Sequence, residues 1–280
     1  MSEPEHVLSL SYGKDSLACL GAIEELGWPL DRIIHAEVWA TDTIPADPPP
    51  MVEFKAKADT IIRERWGITV EHIRHKLSHE EMFYRPICRG PQKGLVKGFP
   101  LTSGSRSWCK HLKVTGALIE KTNTIQYVGI AADEPGRFGI LSNIKKSPLK
   151  EIGWTEAECR RWCEKNSLLS PIYSSATRGG CWFCHNQSVQ QLRLLRREYP
   201  ELWALLLNWD SDSPVTFKAP SGREGSVGHT VHDYERRFRL EDEKRINTDT
   251  PGFRWNMIDG GVPAKYLLKG RIRWLEENGQ

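Results

Sequence analysis

Apolar and polar positions follow two rhythms along the first half of the chain. Val7-Leu8-Ser9-Leu10 is a short apolar run of the kind that forms a buried strand, and Leu17-Ala18-Cys19-Leu20-Gly21-Ala22-Ile23 behind it reads as the first turns of a helix. Ile33 to Ala40 predicts a second strand ending in Thr41-Asp42-Thr43. Met51 to Trp66 has helical spacing that Gly67 stops. Ile68 to Ile73 predicts a third strand, and Thr124 to Ile130 a fourth that runs into Ala131-Ala132-Asp133-Glu134. Strands interleaved with helices imply right-handed crossovers and a mainly parallel sheet, an α/β, Rossmann-like arrangement flanked by helices. Residues 76 to 107 carry no such rhythm, and a loop of that length is usually functional or mobile. From about 151 the pattern turns helical. Thr155 and Glu158 have capping-box spacing, Val189 to Asn208 reads as one long helix, 210–230 as loop, and 231–280 as a basic tail with short helices. The expected division is an α/β region over 1–200, including a cysteine-bearing turn, and a mainly helical appendage over 201–280.

Composition narrows the setting. Among 280 residues, 39 basic and 36 acidic side chains leave a net charge of +3, so bulk charge does not call for nucleic acid. No apolar run reaches membrane-spanning length and no charged-then-apolar leader opens the chain, so the expectation is a cytoplasmic protein with no membrane partner. Seven cysteines, an odd number, then read as core residues, metal ligands or reactive thiols rather than disulfides. Eleven tryptophans point to an aromatic-rich second half.

The densest chemistry lies in Ser11-Tyr12-Gly13-Lys14-Asp15-Ser16, between the first strand and the first helix. A strand, a tight turn and a helix N-terminus make an anion cradle, with backbone N–H groups and the positive end of the helix dipole facing one point. Gly13 permits close backbone approach. Ser11 and Ser16 add hydroxyls, Lys14 adds a mobile charge, and Asp15 makes sense beside phosphate if it holds a cation such as Mg²⁺. The plainer alternative is a solvated loop with Asp15 as a capping acid. The spacing is not that of the mononucleotide P-loop, which needs four residues between its glycine and the Gly-Lys pair.

The stretch resembles the SGGKDS signature of the PP-loop ATP pyrophosphatases, with Tyr12 in place of the first glycine. Downstream segments extend the resemblance toward the phosphoadenosine phosphosulfate reductase-like branch of that family. Asp42-Thr43 stands where the branch has Asp-Thr-Gly, with Ile44 replacing the glycine. Trp108-Cys109-Lys110-His111-Leu112-Lys113 is similar to its Arg-Trp-Cys-Thr…Leu-Lys segment, and Gly129 to Arg137 to its Gly-Ile-Arg-Ala-Asp-Glu-Ser…Arg segment. Pro171-Ile172-Tyr173 followed by Arg178-Gly179-Gly180-Cys181-Trp182-Phe183-Cys184 is similar to its Pro-x-Tyr…Gly-Cys-x-x-Cys element. These segments span roughly residues 7 to 200 in family order. The resemblance implies a PP-loop fold that holds the phosphates of ATP or of a sulfonucleotide at Ser11–Ser16, with Asp42 and Thr43 nearby.

The same positions carry physical candidates. Asp133 at a strand's carboxyl end suits Mg²⁺ or the orientation of basic residues, and Lys113 and Arg137 could neutralise charge that builds up in phosphoryl or adenylyl transfer. A solvated helix charge at Lys113 and a turn acid at Asp133 are the alternatives. Cys181-x-x-Cys184 has the spacing of a chelating turn and equally of a redox dithiol. Cys109 is the best third ligand. Cys163 is favoured as the fourth over Cys159 and Cys88, and Cys159 and Cys163 can share one helix face. Four cysteines would suit a 4Fe-4S cluster or zinc, with unmetallated thiols the third possibility.

The reductases of this branch need a nucleophilic cysteine near the C-terminus, and no cysteine follows Cys184. The expected activity is therefore that of an ATP-using relative that cleaves between the α and β phosphates, adenylates an acceptor and lets a sulfur donor displace AMP. Sulfonucleotide reduction through Cys181 and Cys184 is the alternative, as is a non-catalytic nucleotide- or nucleic-acid-binding relative. Arg193, Arg196 and Arg197 with Arg236, Arg237 and Arg239 could meet a nucleic-acid acceptor, although solvated helix faces explain them equally. A homo-oligomer is left open.

Overall fold

The computed structural model describes residues 3–100, 104–113, 119, 123–174, 180–220, 227–244 and 262–263. Arg178 and Gly179 of the cysteine-bearing segment, and most of the expected basic tail beyond 244, lie outside them. The chain divides into two compact units, one made of 1–76 and 110–181, the other of 77–109 and 182–280. The boundary expected at 200 falls inside the second of these.

The first unit is the expected α/β sheet. Strands β1 (Glu5–Ser9), β2 (Arg32–Glu37), β3 (Val70–Arg74), β4 (Thr124–Tyr127) and the two-residue β5 (Lys145–Lys146), which the pattern did not predict, stand in the order β3-β2-β1-β4-β5. Every pairing is parallel, with Leu8 opposite Ile33 on one side and Tyr127 on the other. The order reverses between β1 and β4, so the carboxyl ends of those strands face a crevice.

Alternation within β1 sends Leu8 and Leu10 to one face, where they join Leu17, Leu20 and Ile23 of helix α1 (Lys14–Leu26) and Ala58 and Ile62 of helix α2 (Pro49–Trp66). Val7 goes to the other face with Ile34 and Ile73. Gly27 and Gly67 end α1 and α2 in the left-handed conformation that glycine adopts freely. Helix α5 (Glu156–Lys165) opens with the expected capping box, Thr155 accepting from the Glu158 N–H and Glu158 accepting from the Thr155 N–H. Its Cys159 and Cys163 are fully buried in the core that contains α1.

The second unit is mainly helical. The stretch 76–107 is less irregular than its pattern suggests. Helix α3 (His79–Tyr84) lies within it, started by a Ser78–Glu81 capping box too short to leave a periodic signal. The helix expected over 189–208 is two, α6 (Val189–Glu198) and α7 (Pro200–Asp212), because Pro200 has no N–H to continue the ladder and opens a new helix instead. Helix α8 (Val231–Asp242) follows, capped by Thr230 and Asp233. The tryptophans find their role here: Trp182 and Trp209 stack at 5.5 Å, and Trp108, Phe83 and Phe183 surround the buried His79. Among the described residues no helix is long and apolar enough to cross a membrane.

At the crevice, β4 runs on to Gly129. A Cβ there would lie 2.6 Å from the Ser16 backbone nitrogen and 2.8 Å from the Asp15 carbonyl carbon. Those atoms belong to the first turn of α1 and cannot swing aside as a side chain can. Gly129→Ala is expected to destabilise the fold by about 2 kcal/mol, the scale of overpacking a rigid site, which a denaturant titration against wild type will measure.

Candidate functional site

The loop from Ser11 to Ser16 is built around one hydroxyl. Ser16 Oγ donates to the Gly13 carbonyl at 3.0 Å, accepts the Ser11 N–H at 3.1 Å and lies 3.0 Å from Ser11 Oγ. Tyr12 turns the chain in the left-handed region at φ 55°. Gly13 then serves as N-cap of α1 without a side chain to fill that role, which leaves the positive end of the helix available to an anion. An oxygen already faces it: the Lys14 N–H donates to the Tyr173 hydroxyl at 3.0 Å.

One side of the loop opens on a cavity of about 240 Å³. Ser11, Tyr12 and Gly13 line it together with His35, Lys55, Lys113, Tyr173 and Cys181. Of the residues singled out by sequence, the structure thus brings Ser11, Tyr12, Gly13, Lys113 and Cys181 to one cavity, with Ile172, Tyr173 and Gly180 of the resembling segments beside them. His35 and Lys55 were not singled out. His35 Nδ1–H donates to the Leu10 carbonyl at 2.8 Å, and the Lys55 ammonium donates to its Nε2 at 2.8 Å and to Asp47. A ring that receives an ammonium proton on one nitrogen is neutral. Burial and the Lys55 charge accordingly lower its pKa from 6.5 to about 4.

The other side of the loop is acidic. The Lys14 ammonium donates to Asp15 at 2.9 Å and to Glu156 at 2.8 Å. Burial works against that ammonium, but its two carboxylate partners outweigh it and raise the Lys14 pKa. Burial raises the Asp15 pKa against the pull of Lys14. The Glu156 N–H donates to Asp133 Oδ1 at 3.0 Å, so Asp133 reaches Lys14 through one residue. Glu156 was not singled out in the sequence. Nothing but the folded proximity of α1 and α5 marks it as a partner of Lys14. Glu134 accepts both the Ala131 N–H at 3.1 Å and the Arg137 guanidinium at 2.8 Å. Neither Asp133 nor Arg137 lines the cavity. Nor do Asp42, whose exposed carboxylate is 3.4 Å from Arg74, and Thr43, whose N–H turns back to Thr41 Oγ1.

Among the described residues no group of three or more His, Cys, Asp or Glu stands in a metal-holding arrangement. The Cys163 thiol donates to the Lys14 carbonyl at 3.2 Å, and burial, with Asp15 nearby, pushes its pKa up to about 12, so it stays protonated. In the second unit five of the arginines singled out by sequence meet carboxylates, on the neighbouring helix or their own. Arg193 pairs with Glu241, Arg196 with Glu235 and Asp242, Arg197 with Glu198, Arg237 with Glu241 and Arg239 with Glu235.

No protein-family model matches the chain, and no curated protein matches it at a significant level.

The neutral His35 has a consequence for stability. Its folded pKa lies below its unfolded one, so its contribution is complete above pH 6.5 and is lost as the pH falls toward 4, where only the unfolded chain takes up the proton. The shift corresponds to a loss on the order of 3 kcal/mol. Urea titrations at pH 7 and pH 4 are expected to show a fall that is smaller in His35→Asn, which keeps a donor for the Leu10 carbonyl. Equal falls in both proteins would clear His35 as the cause.

Proposed function

We propose that this protein binds an adenine nucleotide by its phosphates at Ser11–Ser16 and transfers the adenylyl group to an acceptor that then receives sulfur. One observation carries the binding half. A helix N-terminus without a side-chain cap, bearing Lys14, lies at the carboxyl end of a central parallel strand and borders a cavity. Two sources of positive potential converge there, the α1 dipole and the Lys14 N–H, with Lys113 on the cavity wall; the Lys14 ammonium lies across the loop, held by Asp15 and Glu156. The adenylyl-transfer half is supported by the resemblance of the loop and of the Gly129–Arg137 segment to the PP-loop ATP pyrophosphatases.

In this reading the phosphates take the place of the Tyr173 hydroxyl on the Lys14 N–H, and the Lys14 ammonium swings from Glu156 to the phosphate oxygens. Attack by the acceptor on the α-phosphorus expels pyrophosphate, and charge growing on the leaving oxygens is met by Lys14 and Lys113. Mg²⁺ would add charge neutralisation at Asp15 and Asp133. Both carboxylates are already engaged, by Lys14 and by the Glu156 N–H, and no step here depends on the ion. A second reading, sulfonucleotide reduction, is favoured by Cys181, whose buried residue lines the same cavity. Sulfite release from phosphoadenosine phosphosulfate, with no pyrophosphate from ATP, would move the assignment there.

Two substitutions test the phosphate loop. Lys14→Ala is expected to weaken ATP binding at least about tenfold, the loss of one charge-assisted contact, and to abolish pyrophosphate release. Unchanged ATP affinity in a folded variant would remove the loop from the site. Glu156→Gln frees Lys14 from a half-exposed ion pair and is expected to tighten ATP binding about two- to fivefold. Calorimetry reads both, and weaker binding in Glu156→Gln would make the acid a contributor rather than a competitor.

A further inference from the structure

Tyr12 occupies a backbone conformation that its side chain makes costly. A non-glycine residue at φ 55° pays about 1–2 kcal/mol, and at this position the resembling loops carry glycine, which pays nothing. The tyrosine must therefore be held. Its ring is buried, 1% exposed. It stands edge-on to His35 with centroids 4.8 Å apart, and the Lys55 ammonium lies 5.2 Å from its centroid. Its hydroxyl donates to the Asp59 carboxylate on α2 and meets His72 Nε2 on β3 at 3.0 Å.

Behind these two groups the contacts continue. His72 Nε2 is 2.9 Å from the other Asp59 oxygen, and its Nδ1 is 2.7 Å from Glu37 on β2. Glu37 also accepts the Trp39 indole N–H at 3.0 Å. Both ring nitrogens face carboxylates, and the hydrogen bond to Asp59 leads in raising the His72 pKa. Elements β2, α2 and β3 thus reach one phenol oxygen on the loop between β1 and α1.

We infer that Tyr12 is a positioning residue for bound phosphate, its hydroxyl gripped by Asp59 and His72 so that the left-handed turn holds and presents Gly13 and the Lys14 N–H to the anion. The inference rests on the phosphate-loop reading above. Without the hydroxyl the ring still fills its place, but the turn loses the bonds that offset its backbone cost. It then relaxes toward φ values that swing the Gly13–Lys14 peptide away.

The test compares ligands that need the turn with one that does not. Binding of ATP, inorganic pyrophosphate and adenosine is measured by calorimetry for wild type, Tyr12→Phe, Asp59→Ala and Asp59→Asn. Tyr12→Phe and Asp59→Ala are each expected to weaken ATP and pyrophosphate about tenfold, the effect of losing a hydrogen bond to a charged partner, and to leave adenosine unchanged. Asp59→Asn, whose amide oxygen still accepts from the tyrosine, is expected to stay near wild type. The double variant Tyr12→Phe/Asp59→Ala should be no weaker than either single one, because both remove the same bond. Wild-type ATP affinity in Tyr12→Phe would overturn the inference while leaving the phosphate loop standing. Equal losses for ATP and adenosine would also overturn it, by showing a general structural role. Failure of the wild-type protein to bind either ATP or pyrophosphate would overturn the loop reading itself and this inference with it.

Discussion

Where β4 ends, backbone lies against backbone. The chain at Gly129 touches the first turn of α1 with no side chain between them, and this contact fixes how far the loop after β1 can open. Side chains can repack around an error, but two main chains in van der Waals contact cannot. The helix N-terminus is therefore set by the sheet, and the groups it carries inherit that placement. Gly13 and the Lys14 N–H face the cavity side, and the Lys14 side chain crosses to the acids on the other side. Ser16, at the hub of the loop, is held by the same approach.

The loop in this state is electrically satisfied from within. The ammonium of Lys14 has two carboxylates, and its N–H has a phenol oxygen. Two of these partners, Glu156 and Tyr173, cost little to replace. Glu156 is half exposed, so its ion pair carries little net free energy, and the Tyr173 bond is a neutral one. A polyanion arriving at the helix end would exchange weak partners for strong ones. In this state the charges of the loop are neutralised by partners from its own chain. Beneath it, Cys163 and Cys159 give α1 an apolar, protonated floor, because burial raises both thiols.

Much of the fold is legible in the sequence because parallel strands are short apolar runs and their helices are periodic. β1 to β4 and α1, α2 and α5 each carry such a signal, and the Thr155 capping box could be read directly. What escaped lacks length or period. β5 has two residues, α3 has six, and the break at Pro200 lies inside continuous helical periodicity. The site divides the same way. Ser11 to Ser16 are contiguous and visible. Glu156, His35 and Lys55 reach the loop only through tertiary contact, and no spacing along the chain reports that; Tyr173 was visible only as part of a resembling segment. The arginines of α6 and α8, whose spacing left an anionic partner and a solvated face equally open, meet carboxylates on the neighbouring helix or their own.

The strand order also dictates a timetable. β1, β2 and β3 are contiguous in sequence and can pair as soon as residue 74 has been made, but the other edge of β1 pairs with Thr124 to Tyr127, well over a hundred residues downstream. Between these events the excursion through 77–109 must emerge, and it belongs to the other unit. On the ribosome, the strand that becomes the centre of the sheet spends this interval as an edge, with a row of unpaired N–H and C=O groups facing outward. Its apolar residues Val7, Leu8 and Leu10 are of the sort that recruit another nascent chain if the wait is long. The turn from Ser11 to Ser16 thus reaches its final form only after the backbone at Gly129 arrives to close against it.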